Sequence, residues 1–121
     1  MKYERNMVIL KDVEALITQL NNCIVIVEGK RDVIALEKIG VRTNVFTYEK
    51  FIRDKQIRGK NAVILTDFDR GGETKKELIS SALIEREITE NDELRRKFKQ
   101  IFGVKTIEDI PSIFEKITKG D

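Results

Sequence analysis

The feature that most restricts how this chain can fold is a pattern that occurs twice: a short apolar run, a turn rich in carboxylates, then a helix. The first copy is Cys23 to Val27 followed by Glu28-Gly29-Lys30-Arg31-Asp32; the second is Ala62 to Thr66 followed by Asp67-Phe68-Asp69-Arg70-Gly71-Gly72-Glu73. Both apolar runs are too short for a buried helix and rich in β-branched residues, the signature of a strand covered on both faces. Strands separated by helices predict a parallel sheet with right-handed crossovers, whose ligand site lies beyond the carboxyl ends of the strands. Both acidic turns fall at that edge.

The remaining periodicity fills in the layers. Ile9, Val13, Leu16, Ile17 and Leu20 recur at helical spacing, predicting a helix over residues 8–21 that packs across the sheet. Asp32 is expected to cap a helix carrying Val33, Leu36 and Ile39, with Gly40 as a left-handed stop. Val45 and Phe46 form a short second strand, and Thr47 caps a brief helix containing Phe51 and Ile52. After the second acidic turn a helix presents Leu78, Ile79, Ala82 and Leu83 on one face. Asn91 starts a further helix with Leu94, Phe98, Ile101 and Phe102, ending at Gly103, and a last short helix follows Pro111. Val104 to Ile107 is the one candidate for a fourth strand. The expectation is a single domain over residues 1–121, with a core of about 22–87, an N-terminal helix and a helical C-terminal extension over 88–121.

Composition removes whole classes of chemistry. Histidine is absent, which excludes a serine-hydrolase triad and the commonest zinc ligand, so proton transfer falls to carboxylates, lysine or bound water. Cys23 is the one cysteine, which rules out an internal disulfide or zinc ribbon, fits a reducing cytoplasm and is expected to be buried and inert. No apolar run approaches a membrane span, and the amino terminus has no secretory pattern; a soluble cytoplasmic protein is expected. With 23 basic and 21 acidic residues, any nucleic-acid contact must be a local patch. Arg95, Arg96, Lys97 and Lys99 are the candidate basic helix face.

The acids carry the functional expectation. Asp67 and Asp69 lie two apart, so an extended chain points both side chains the same way; joined by Glu28, they would repel one another unless a hard cation such as magnesium relieves the charge. Each has a bland alternative: the aspartates as caps of the next helix, Glu28 as the ion-pair partner of Lys30 or Arg31. Gly71 and Gly72 allow close approach of backbone to a ligand at a helix amino terminus, where a phosphate could rest. Lys30, Arg31, Arg70, Lys75 and Lys76 border the turns and either hold phosphate or balance the acids. Glu73 is open to two readings, a supporting acid for the metal or a first-turn residue stabilised by the helix dipole.

The residues Glu28-Gly29-Lys30-x-Asp32 after one strand, and Asp67-x-Asp69 with Gly71 and Glu73 after another, resemble the Toprim domain shared by topoisomerases, bacterial-type primases and ribosomal-RNA maturation ribonucleases. The first motif looks most like the ribonuclease branch and small archaeal-type Toprim proteins. The resemblance implies a central parallel sheet of about four strands and phosphodiester chemistry dependent on one or two magnesium ions, with manganese as a substitute. It implies metal ligation by Glu28, Asp67 and Asp69, with catalytic roles for Glu28, Lys30 and Asp32. Phosphate or nucleic-acid contacts would fall to Gly29, Lys30, Arg31, Arg70, Gly71, Gly72, Glu73 and Lys75. The implied partner is RNA or DNA, with protein partners open and no membrane. The implied activity is an RNA-processing nuclease, or else a metal-dependent nucleic-acid-binding module without turnover. Only Tyr3 and Tyr48 are present as tyrosines, neither beside the motifs, so strand passage by a topoisomerase tyrosine is not expected.

Overall fold

Four parallel strands in the order β2-β1-β3-β4 form the centre of this computed structural model, which describes residues 2–42 and 44–119, with side chains from residue 9 onward. Along the chain come α1 (Lys2–Leu20), β1 (Ile24–Val27), α2 (Lys30–Lys38), β2 (Val45–Thr47), α3 (Tyr48–Arg53) and β3 (Asn61–Ile64). They are followed by α4 (Arg70–Glu85), β4 (Thr89–Glu90), α5 (Asp92–Phe102), a 3₁₀ turn (Ile107–Asp109) and α6 (Ile110–Lys119). α1 begins earlier than residue 8, and the Tyr3 side chain, Gly120 and Asp121 lie outside the described residues.

The period-two geometry of β1 divides the core. Val25 and Val27 face a layer with Val13, Leu16 and Leu20 of α1, Leu36 of α2 and Phe98 and Phe102 of α5, while Ile24 and Ile26 face Phe51 of α3 and Ile79 and Leu83 of α4. Both faces of the sheet are therefore dry, which is why β1 and β3 are apolar without alternation. Fully burying one such side chain contributes roughly 1.5–3 kcal/mol. Phe98 and Phe102 belong to this packing, their ring centroids 4.8 Å apart, and Cys23 is a buried free thiol whose pKa burial pushes up.

Caps end the helices where chain chemistry permits. Gly40, at φ 101°, closes α2 in a Schellman arrangement, with its own N–H donating to the Glu37 carbonyl and that of Val41 to Leu36. Thr47 and Asn91 accept from the backbone N–H of Lys50 and Leu94, as expected of N-caps. Asp32 departs from expectation. Gly29 is the N-cap of α2, and Asp32 sits three residues in, its Oδ2 accepting the Gly29 N–H at 3.1 Å.

The fourth strand is also placed differently. It is Thr89–Glu90, paired to Asn61 and Ala62 of β3, and Val104 to Ile107 is not a strand. α4 ends in a second Schellman motif in which Glu87, at φ 57°, holds the left-handed position usually given to glycine, and the Ile88 N–H reaches back to the Leu83 carbonyl. That turn delivers the chain directly into the edge strand. Residues 104–107 instead cross the end of β3, where the Phe68 N–H donates to the Lys105 carbonyl at 2.7 Å.

Candidate active site at the switch point of the sheet

Strand order fixes where a ligand can enter. From β1 the chain crosses to β2 on one side, whereas β3 and β4 lie on the other, so the crevice between β1 and β3 is the topological switch point, the usual ligand site of open parallel sheets. Glu28 directly follows β1, and Asp67 follows β3 by three residues, both at carboxyl ends. The crevice is therefore lined by acids from each central strand.

Glu28 and Asp67 come together. Burial raises the Glu28 pKa above its ordinary value of 4.5, and Asp67 raises it further through a side-chain hydrogen bond and through its charge, while Lys75 opposes the shift. Lys75 Nζ lies 3.7 Å from Glu28 Oε1, so the ion-pair partner of Glu28 comes from α4 and is neither Lys30 nor Arg31, which are exposed on the first turn of α2.

Asp32 is a third acid beside this pair. It is buried, and burial raises its pKa above the ordinary 3.8; N–H bonds from Gly29 and Glu28 lower it, and the charges of Asp67 and Glu108 raise it. Asp69 takes another direction. Its Oδ1 accepts the Gly72 N–H at 2.7 Å, making it the N-cap of α4. Among the described residues no three acidic or cysteine side chains are grouped so as to hold one ion.

The glycines do different work from one another. A Cβ on Gly72 would stand 1.8 Å from the Asp67 carbonyl oxygen, so α4 packs directly on the backbone of the acidic turn, and Thr66 Oγ1 ties the two by donating to the Gly72 carbonyl at 2.8 Å. The close approach at Gly72 is thus to the protein itself. Gly29 and Gly71 have open surroundings, and Arg70 is exposed beside Gly71.

The largest structural contribution that motif reading missed comes from α5. Arg95, only 4% exposed, sends Nη1 to the carbonyls of Ile64 and Thr66 at 2.9 and 3.0 Å, and Nη2 to Asp67 O at 3.4 Å and Glu73 Oε1 at 2.8 Å. It also stacks on Phe68 at 4.5 Å. Arg95 therefore leaves the candidate basic face, and Glu73 is its ion-pair partner. The signal was available in the helical spacing of Arg95 with Phe98 and Phe102, which puts a cation in an apolar stripe. From further along, the Ile107 N–H donates to Asp67 Oδ1 at 3.0 Å.

Comparison with known proteins agrees with this architecture. A family model of the Toprim domain matches residues 22–90, the stretch from just before β1 through β4 that carries both acidic turns. The chain belongs to the Toprim family, whose domains generally bind magnesium and serve metal-dependent, nucleic-acid-related functions. It is similar to a UPF0292 protein of Methanocaldococcus jannaschii, 34% identical over 92% of this chain and 91% of that one. It is likewise similar to UPF0292 proteins of Methanosarcina barkeri (32%, covering 91% and 83%) and Thermococcus sibiricus (33%, covering 86% and 89%). A solved structure of a protein from Aquifex aeolicus shares the fold with a TM-score of 0.68 at 22% identity, covering 83% of this chain and 95% of that one. No described helix is long and apolar enough to cross a membrane.

Proposed function

We propose that this chain acts on nucleic-acid phosphodiesters with magnesium, as an RNA-processing nuclease. The observation that supports this reading is the contact between Glu28 and Asp67 at the switch point. Two carboxylates brought together at the sheet edge repel one another, a cation relieves that repulsion, and magnesium is commonly held by one or two carboxylates together with water and substrate phosphate. Such a donor set fits the ion without requiring a closed cage of protein ligands.

Glu28 and Asp67 would hold the metal, with manganese as a working substitute. Asp69 would join them only by a rotation that releases its cap on Gly72. When bound, the ion supplies charge neutralisation at the phosphate and an acidified water. Glu28, whose pKa is raised mainly by burial, is suited to hold or release a proton at the attacking or leaving oxygen. Asp32 fixes the Gly29 turn and adds negative charge behind Glu28. Lys30, Arg31 and Arg70 are exposed at the rim, where they would meet phosphate oxygens, and Lys75 would release Glu28 as the cation arrives.

The test is cleavage of structured RNA and of single-stranded DNA with and without magnesium or manganese, using the wild type, Glu28→Gln and Asp67→Asn. Metal-dependent cleavage lost in both variants is the expected result, and cleavage surviving both substitutions removes the proposed chemistry. A second reading, a module that holds phosphate through a cation without turnover, draws support from the use of Asp69 as a cap. Metal-dependent binding of RNA with no product would select it.

A further inference from the structure

Beside the acidic crevice, between α4 and α5, lies an open pocket of about 200 Å³. Phe68, the residue between the two aspartates of the second turn, lines it together with Lys76, Arg95, Arg96 and Lys99; Glu73 and Asp92 are its acids. We infer that this pocket holds a backbone phosphate of the nucleic acid next to the one at Glu28 and Asp67, an inference that rests on the proposed function and adds the path of the strand.

The cations are not equivalent, and their partners separate structural from available charge. Arg95 is saturated by three carbonyls and Glu73, and Lys76 bridges Glu90 at 3.1 Å and Asp92 at 3.3 Å, so both form the wall. Arg96 pairs with Asp92 through Nε at 3.6 Å and is 75% exposed, so its guanidinium is open to an incoming oxyanion. Lys99 has no ion pair among the described residues, and its ammonium stands 5.8 Å from the Phe68 ring centroid, over the pocket. Lys97 points elsewhere: it pairs with Glu93 at 3.4 Å and lines the groove between α1 and α5. Of the basic residues of α5, Arg95 is thus committed to the protein and Lys97 faces the groove against α1, while Arg96 and Lys99 offer donors to this pocket.

Its position gives the pocket a purpose. Arg95 touches both the pocket and the backbone of Asp67, so an oxyanion bound here lies beside the turn that carries Asp67. A net positive pocket beside a net negative crevice suits a polyanion: one phosphate requires a cation at the acids, and its neighbour is met by fixed positive charge.

The experiment uses the otherwise wild-type full chain with calcium, a hard oxygen-binding cation of different coordination geometry, in place of magnesium to hold back turnover, and labelled single-stranded RNA and DNA oligonucleotides titrated over a series of salt concentrations. Arg96→Gln with Lys99→Gln is expected to weaken binding about tenfold at low salt and to reduce the slope of log K against log salt by about 1.4, at roughly 0.7 per lost single-strand contact. Lys97→Gln is expected to leave both unchanged, and manganese binding to otherwise wild-type protein carrying the double change should match that of the parent. The RNA and DNA arms show which backbone is preferred. An unaltered slope in the double variant, or an equal loss in Lys97→Gln, overturns the pocket and leaves the acidic site standing. Absence of any salt-dependent binding by the parent overturns both.

Discussion

Ile107 and Asp67, forty positions apart, are joined by a hydrogen bond from the Ile107 N–H to Asp67 Oδ1 at 3.0 Å. The acid at the end of β3 is thus held by a segment beyond the residues matched to the Toprim family. Arg95, also beyond that stretch, bonds the carbonyls of the same turn. The C-terminal helices therefore do more than cover the sheet; they set the backbone on which Asp67 is carried.

Replacing Arg95 should be costly for a specific reason. Arg95→Met keeps the length but leaves the Ile64 and Thr66 carbonyls without their buried donor, and a loss of about 3 kcal/mol is expected in urea unfolding. Arg95→Lys should recover less than half, because an ammonium cannot reproduce the fork of a guanidinium.

The two neighbouring glycines should respond oppositely. Gly72→Ala places a methyl 1.8 Å from Asp67 O and should cost about 3 kcal/mol or prevent folding. Gly71→Ala meets nothing nearer than Asp69 Oδ1 at 3.7 Å and should be neutral or stabilise by up to about 1 kcal/mol. Thermal melts of the two variants separate these outcomes.

Asp69 can be tested as a cap independently of any metal. Asp69→Ala should lose about 1 kcal/mol in denaturant unfolding, whereas Asp69→Asn keeps an acceptor for the Gly72 N–H and should match the wild type within a few tenths. Retained stability with lost magnesium-dependent cleavage in Asp69→Asn would identify a second role for the carboxylate.

Metal-free protein should be more stable in mild acid than its other groups alone would make it. Glu28 and Asp32 have folded pKa values raised above the ordinary 4.5 and 3.8, so the folded state binds protons more readily than the unfolded state. Their favourable contribution is complete below those ordinary values and is lost as pH rises through the folded ones. Glu28→Gln should raise the melting temperature at about pH 7 and flatten its rise as pH falls toward the ordinary 4.5. Magnesium should flatten the wild-type curve in the same way, as differential scanning calorimetry would show.

The parts of the fold legible in the sequence were those where local chemistry and packing agree. β1 and β3 are apolar because both sheet faces are buried, and Gly40, Thr47, Asn91 and Gly103 mark helix ends by the residue types those positions require. β4 escaped because its two residues sit on an edge and the turn before it uses Glu87 where glycine would have signalled the stop. Of the site, both acidic turns were readable as motifs. Of their tertiary supports, Arg95 was marked only by its place in the apolar stripe of α5, and a backbone donor such as that of Ile107 leaves no side-chain pattern.

Because Gly72 rests on the Asp67 backbone and Thr66 clasps its carbonyl, α4 and the second acidic turn must travel as one rigid piece. Residues 104–107 are fastened to that same piece through the carbonyl of Lys105 and the N–H of Ile107. A change that displaces the helix behind Asp67 should therefore be felt at residues 104–107 as well.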